Sequence, residues 1–258
     1  MSNRLENTFR DKTNILNVYL TAGFPSLNDT VKVVQELANN GVNMVEIGMP
    51  FSDPLADGPT IQSSSEIAIK NGITLALIFD QIKEIRRTVQ IPIILMGYYN
   101  QMIQYGVEEF VKKATEVGVD GLIIPDLPLD IYQKKYKSLF EQYDLKVSFL
   151  ITPQTTEKRI LEIANESTAF LYVVSSYAIT GSKSVIEEYQ TTYFKNIAAL
   201  NIQTPKLIGF GISNRTSFQK ACEYANGAII GSAFIKAINN SSNDLRQTIK
   251  EFVKSIKE

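Results

Sequence analysis

The chain has 258 residues, 44% apolar and 21% charged, with a formal net charge of -1 and a pI near 5.8. That is enough apolar material for a large core, and it leaves no basic footprint for nucleic acid. Histidine is absent and Cys222 is the single cysteine, so acid–base chemistry falls to carboxylate, lysine or tyrosine, and disulfides and zinc-finger sites within the chain are excluded.

Cys222, in Ser217-Phe218-Gln219-Lys220-Ala221-Cys222-Glu223-Tyr224, reads as a small buried residue on a helix. The opening stretch from Met1 to Arg10 alternates in charge without an apolar signal core, and no later apolar run approaches ~18 residues. A cytoplasmic, soluble protein is predicted, with no membrane partner. No Ser/Gly/Pro-rich linker or charge block divides the sequence, which predicts one domain over 1–258.

Short apolar runs alternate with longer amphipathic ones from end to end. The predicted strands are Ile15 to Leu20, Met44 to Ile47, Ile93 to Met96, Gly121 to Ile124, Lys146 to Leu150, Phe170 to Val174, Lys206 to Ile208 and Ala228 to Ile230. Helical spacing is clearest in Asp29 to Asn39, where Val31, Val34, Leu37 and Ala38 recur and Gly41 supplies a stop. Val107 to Val117 and Leu129 to Tyr143 behave alike, and Leu75 to Val89 adds an extra helix before the third strand. Eight β–α units in roughly 250 residues predict a (β/α)8 TIM barrel with extra helices, with an open doubly wound sheet as the alternative.

The most informative stretch follows the second strand: Glu46-Ile47-Gly48-Met49-Pro50-Phe51-Ser52-Asp53-Pro54-Leu55-Ala56-Asp57-Gly58-Pro59-Thr60-Ile61-Gln62. Val45 and Ile47 face one side of their strand and Glu46 the other. A carboxylate there has either a partner or a raised pKa, and no basic residue lies nearby in sequence. The prolines stiffen the loop enough to aim Asp53 or Asp57 at a fixed point. Barrel enzymes place their sites at the C-terminal ends of strands. Glu46 at the end of the second strand, Asp57 after it, Asp126 in Pro125-Asp126-Leu127-Pro128 and Tyr172 near the end of the sixth strand are therefore expected on one face.

Two glycine corners follow the last strands, Gly209-Phe210-Gly211-Ile212-Ser213 and Gly231-Ser232-Ala233. In that position they suit a phosphate held by backbone N–H groups and the Ser232 hydroxyl; taken singly, each is also an ordinary βα turn. Ser175-Ser176-Tyr177-Ala178-Ile179-Thr180-Gly181-Ser182-Lys183-Ser184 is long for such a loop and reads as a lid, or as an untidy surface loop.

These segments together resemble the α subunit of tryptophan synthase over nearly the whole chain, most strongly in Glu46 to Gln62, Gly209 to Ser213, Gly231-Ser232 and Thr180-Gly181. The resemblance implies cleavage of indole-3-glycerol phosphate to indole and glyceraldehyde 3-phosphate without metal or organic cofactor in this chain. It implies that Glu46 is the general acid–base, Asp57 the group that holds the indole N–H, and Tyr19 and Tyr172 the pocket lining, although either tyrosine could be ordinary barrel filling. Gly181, Gly211, Gly231 and Ser232 fall on the family's phosphate positions, and Thr180 on the lid residue that meets Asp57. Where the family often carries a basic lid residue, this chain has Ser176 beside Tyr177. The resemblance also implies an αββα complex with a β subunit that carries pyridoxal phosphate, with Pro50, Asp53, Asn100, Asp126 and Pro128 at the interface. The alternatives are a stand-alone lyase, a non-catalytic regulatory barrel, and a sugar-phosphate isomerase on the same frame.

Overall fold

A computed structural model describes residues 4–175, 188–240 and 244–258. Its strands are β1 (Ile15–Thr21), β2 (Met44–Gly48), β3 (Ile93–Met96), β4 (Gly121–Ile123), β5 (Lys146–Ser148), β6 (Leu150–Ile151), β7 (Leu171–Val174), β8 (Lys206–Gly209) and β9 (Gly227–Ile230). All neighbouring pairs are parallel, in the order β5-β4-β3-β2-β1-β9-β8-β7-β6. The two ends of that order are consecutive in the chain, so the sheet closes into a barrel and the open-sheet alternative is excluded.

The expected fifth strand is therefore two pieces separated by Phe149. Its N–H turns aside to Ser167 Oγ at 3.3 Å, while its carbonyl accepts from Tyr172 N at 3.0 Å. That change of partner ends pairing with β4 and begins pairing with β7.

The helices are α1 (Arg4–Asp11), α2 (Asp29–Asn39), α3 (Pro59–Lys70), α4 (Leu75–Ile85), α5 (Tyr99–Tyr105), α6 (Val107–Glu116), α7 (Leu129–Ile131), α8 (Lys137–Gln142), α9 (Glu157–Glu166), α10 (Glu188–Ala199), α11 (Arg215–Cys222), α12 (Ser232–Asn239) and α13 (Leu245–Lys257). The helix expected over Leu129 to Tyr143 is interrupted by a π-helical stretch, Tyr132–Tyr136, between α7 and α8. The one expected to reach Val89 ends at Ile85 and passes into a turn, over which the Arg86 side chain donates to the carbonyls of Val89, Ile91 and Gly118. No helix among the described residues is long and apolar enough to cross a membrane.

Alternation along the strands builds two apolar layers. Val18, Leu20, Val45, Ile47 and Leu95 point outward and pack with helix residues such as Val33, Leu37, Phe79 and Ile82. Ile15, Met44, Ile94, Phe170, Leu207 and Ile229 point inward and fill the lumen, with Leu5 of α1 packed among them. Arg4 of the same helix pairs with Asp120, just ahead of β4, so α1 plugs the N-terminal mouth. The opposite mouth is left for the loops after the strands.

Candidate active site

Glu46 is the middle residue of β2, two positions before the strand's end rather than at it. The hydrogen-bonded ladder runs on to Gly48, paired with Thr21 and Met96. Its side chain is 1% exposed and accepts from Asn17 Nδ2 at 3.0 Å. Burial pushes its pKa up to about 8, with Asn17 opposing the shift and the charge of Asp57 adding to it.

Asp57 lies on the loop between β2 and α3. The loop is tied down by its own carbonyls: Gln62 donates to Asp57 O at 2.9 Å, and Gln101 on α5 donates to Pro50 O at 2.9 Å. The Asp57 carboxylate accepts from Tyr98 Oη at 3.0 Å, and the same hydroxyl accepts from Ala56 N at 3.0 Å. Burial raises the pKa of Asp57 to about 6 and the Tyr98 bond pulls it down. Near pH 7 one carboxyl is thus held mainly as acid and the other mainly as anion.

Tyr19 and Tyr172 stand in the same lumen, both buried, with hydroxyls pushed well above the ordinary tyrosine range by burial and then by the nearby carboxylates. Their room is made by glycine. A Cβ at Gly48 would overlap the Tyr19 hydroxyl, and one at Gly209 would overlap the Tyr172 ring. Tyr19 and Asp57 also line a narrow cavity with Met49, Ser65, Met96 and Tyr98.

The two glycine corners differ in what their helices need. The N-terminus of α11 is closed on itself: Asn214 Oδ1 accepts from Ser217 N at 2.9 Å and Ser217 Oγ accepts from Asn214 N at 3.2 Å. At α12, Gly231 is the cap residue, no side chain caps the helix, and Ser232 is its first residue. An uncapped N-terminus directs N–H groups and the positive end of the helix dipole toward whatever lies before it. Gly231 packs beside Tyr19, a Cβ there coming 3.4 Å from Tyr19 Cβ. The other corner reaches the same mouth through Phe210 and Gly211, both at positive φ, with Ser175 Oγ donating to the Phe210 carbonyl. Thr180, Gly181 and the remainder of the expected lid from Ser176 onward lie outside the described residues.

The expected partner-facing positions lie around the loops that follow β2, β3 and β4. Asp53, Asn100, Asp126 and Pro128 are exposed and Pro50 is half-buried. Asp126 accepts from Tyr99 N at 2.8 Å, which ties the loop after β4 to the start of α5. Leu55 is 85% exposed and Ile103 is 48% exposed. Residue-by-residue reading passed over Asn17, Tyr98 and Leu55. Tyr98 sits in Gly97-Tyr98-Tyr99-Asn100, directly after a strand, which was signal enough; the contact made by Asn17 depends on strand register and had no local signature.

The family described as tryptophan synthase alpha chain matches residues 5–258. The chain is 53% identical over 255 residues to the tryptophan synthase alpha chain of Flavobacterium johnsoniae, covering 99% of this chain and 100% of that one. It is 54% identical over 254 residues to that of Flavobacterium psychrophilum, with 98% and 99% covered. Among solved structures, the tryptophan synthase A-subunit of Pyrococcus furiosus superposes with a TM-score of 0.87 at 34% identity, over 95% of this chain and 98% of that one. Tryptophan synthase subunit alpha of Legionella pneumophila gives 0.88 at 29% identity, over 99% and 97%. The chain belongs to the tryptophan synthase alpha chain family, the lyases that cleave indole-3-glycerol phosphate to indole and glyceraldehyde 3-phosphate.

Proposed function

We propose that this chain performs the lyase reaction of its family with Glu46 as the proton-transfer group and Asp57 as the fixed anion, and that the product indole is handed to a β subunit docked over the loops after β2, β3 and β4. The observation that carries the reading is the setting of two carboxyls: Glu46 is buried within β2 with only Asn17 donating to it among the described residues, which pushes its pKa up to about 8, and Asp57 is half-buried on the following loop with Tyr98 donating to it, at about 6. Protonating an aromatic carbon needs a carboxylic acid still protonated at neutral pH, while holding an indole N–H as positive charge develops on the ring needs an ionised one.

The protons then balance on one side chain. Glu46 gives its proton to C3 of the indole ring, which becomes an iminium-like cation against Asp57. The carboxylate so formed takes the proton from the glycerol hydroxyl next to the breaking bond. The C–C electron pair returns to the ring, an aldehyde is left on the departing fragment, and Glu46 ends in its starting state. Tyr19 and Tyr172 supply flat apolar walls for the ring. Ser232, Gly231 and Gly211 hold the phosphate, together with Gly181, and Thr180 meets Asp57 as the site closes.

No metal or organic cofactor in this chain is part of the scheme; pyridoxal phosphate belongs to the β partner. Leu55, 85% exposed on the same loop as Asp57, supports docking of a protein partner rather than a stand-alone lyase, since a large apolar side chain held out in solvent beside the site suits an interface. Pro50, Asp53, Asn100, Asp126 and Pro128 belong to the same surface in this reading, an αββα assembly is its expected form, and a cytoplasmic location goes with it. The test is indole release from indole-3-glycerol phosphate by the purified chain, repeated with a β subunit. Release stimulated by the partner is expected. No indole under either condition overturns the reading, and equal rates with and without the partner overturn the docking part of it.

A further inference from the structure

Beside the proposed acid stands a polar side chain that the scheme above does not use. Asn17 on β1 is fully buried; its Nδ2 donates to Glu46 Oε2 at 3.0 Å, and its Oδ1 is buried with no hydrogen-bond partner among the described residues. Strand register sets Asn17 opposite Met44 and Tyr19 opposite Glu46, so the contact is a diagonal one between neighbouring strands on the lumen side. The neighbouring inward positions are apolar: Ile15, Met44, Ile94 and Ile229. A leucine would fill the Asn17 site without leaving an oxygen orphaned, and a buried amide that is only half paired destabilises a fold.

A carboxylic acid has two oxygens and one proton. With Nδ2–H already pointing at Oε2, a proton on that oxygen would set donor against donor, so the proton of neutral Glu46 is confined to Oε1. Once it has been given up, the same N–H faces a full carboxylate, and a hydrogen bond to an ionised acceptor is stronger than one to a neutral acid. The bond therefore tightens as negative charge develops, without any proton passing to the amide.

We propose that Asn17 is a positioning residue that fixes which oxygen of Glu46 carries the transferable proton and stabilises the carboxylate left behind. The other titratable groups acting on Glu46 are Asp57 from the loop after β2, Tyr19 on β1 and Tyr172 on β7. None of these brings a positive charge. Among the described residues Asn17 supplies the one hydrogen bond to its carboxyl.

This inference rests on Glu46 being the proton donor. Asn17→Leu is close to isosteric and Asn17→Ala is smaller, both without a donor, and each is expected to lower kcat about tenfold with KM held within about twofold. The basic limb of the kcat–pH profile should move up by about one unit, because the ionised form loses a charge-assisted donor. A folded variant with an unmoved limb overturns the inference, whatever its thermal stability. Glu46→Gln separates the two levels: if it keeps its activity, the proton-donor reading falls, whereas if it is inactive while Asn17→Leu is normal, only the role of Asn17 falls. Should neither Asn17 variant fold, the unmutated enzyme carries the test. The side-chain 15N amide signal of Asn17 should titrate with the basic limb and lose that titration in Glu46→Gln, and a signal flat between about pH 6 and 10 overturns the inference.

Discussion

Glu46 and Asp120 are both buried in this barrel, one toward each mouth, and their surroundings could hardly differ more. Asp120 at the N-terminal mouth is 5% exposed and accepts from Arg4 Nη1 at 3.0 Å, Arg86 Nη2 at 2.5 Å and Ile93 N at 2.8 Å. Glu46 is 1% exposed and has a single amide donor. At Asp120 two guanidinium groups close on one carboxylate, and the site pins α1 and the end of α4 to the bottom of the sheet. At Glu46 no cation is supplied by the described residues, so burial is opposed only by the Asn17 bond and pushes the pKa up to about 8. In the proposed scheme the same residue chemistry at the same depth is structural when paired with arginine and a proton donor when it is not.

The largest effect that would break this contrast is kinetic. Glu46→Gln is expected to lower kcat by ~10²–10⁴-fold with KM nearly unchanged, the usual worth of a placed acid–base group. A near-normal kcat in steady-state indole release would remove the reactive half of the comparison.

Stability should separate the two ends by sign. Asp120→Asn leaves Arg86, itself depressed to about 10 by burial, without its anion, and breaking a buried ion pair on one side destabilises by ~3–5 kcal/mol. Glu46→Gln should do the reverse at alkaline pH. The folded pKa of Glu46 lies near 8 against an ordinary value of 4.5, so the native state holds a proton that the unfolded chain has released. Its contribution is fully present below about 4.5 and is lost as pH rises through about 8, at a slope approaching roughly 1.4 kcal/mol per pH unit. Glutamine carries no such dependence. Denaturant melts near pH 5, 7 and 9 should show the Glu46→Gln protein gaining on the unmutated one as pH rises; parallel curves would mean that Glu46 is not held neutral.

The Glu46 half of this contrast was legible in the sequence, for a local reason, whereas Asp120 and its arginines were not. A carboxylate inside an apolar strand with no basic neighbour announces burial, and the alternation of β2 fixes which way it faces. Asp29–Asn39 and Ile93–Met96 fall on the predicted bounds because helical spacing with a glycine stop, and a four-residue apolar run, are properties of contiguous residues. What escaped is set by partners distant in the chain. Asn17 meets Glu46 across 29 residues and Tyr98 meets Asp57 across 41. The break at Phe149 depends on Ser167 and Tyr172, and no pattern within Lys146 to Leu150 records it. The uncapped start of α12 against the self-capped start of α11 is a difference between two similar-looking glycine corners, visible only when the caps are seen.

That difference gives the next prediction. If α12 is left uncapped for an anion, Ser232→Ala removes one charge-assisted hydrogen bond, about 1.5–3 kcal/mol, and raises KM roughly ten- to a hundredfold while kcat stays close to normal. An unchanged KM would place the phosphate elsewhere and make the bare helix end incidental.

The smallest expected effect sharpens the contrast from the side of the second carboxyl. Asp57 also has no cation beside it among the described residues, and its anion is held by Tyr98, which donates to it at 3.0 Å while the backbone of Ala56 donates to Tyr98. Tyr98→Phe keeps the ring, which stacks on Phe51 at 5.1 Å between centroids, and removes the hydroxyl alone. The ionised form of Asp57 then loses its donor, so its pKa moves up from about 6 toward neutral. Loss of about 1.5 kcal/mol would show as a roughly tenfold drop in kcat on the acid side of the profile, shrinking as pH rises past the new value. The opposite pattern, a uniform drop at every pH, would mean that Tyr98 only supports the loop, and that the anion at Asp57 is kept by something other than its hydroxyl.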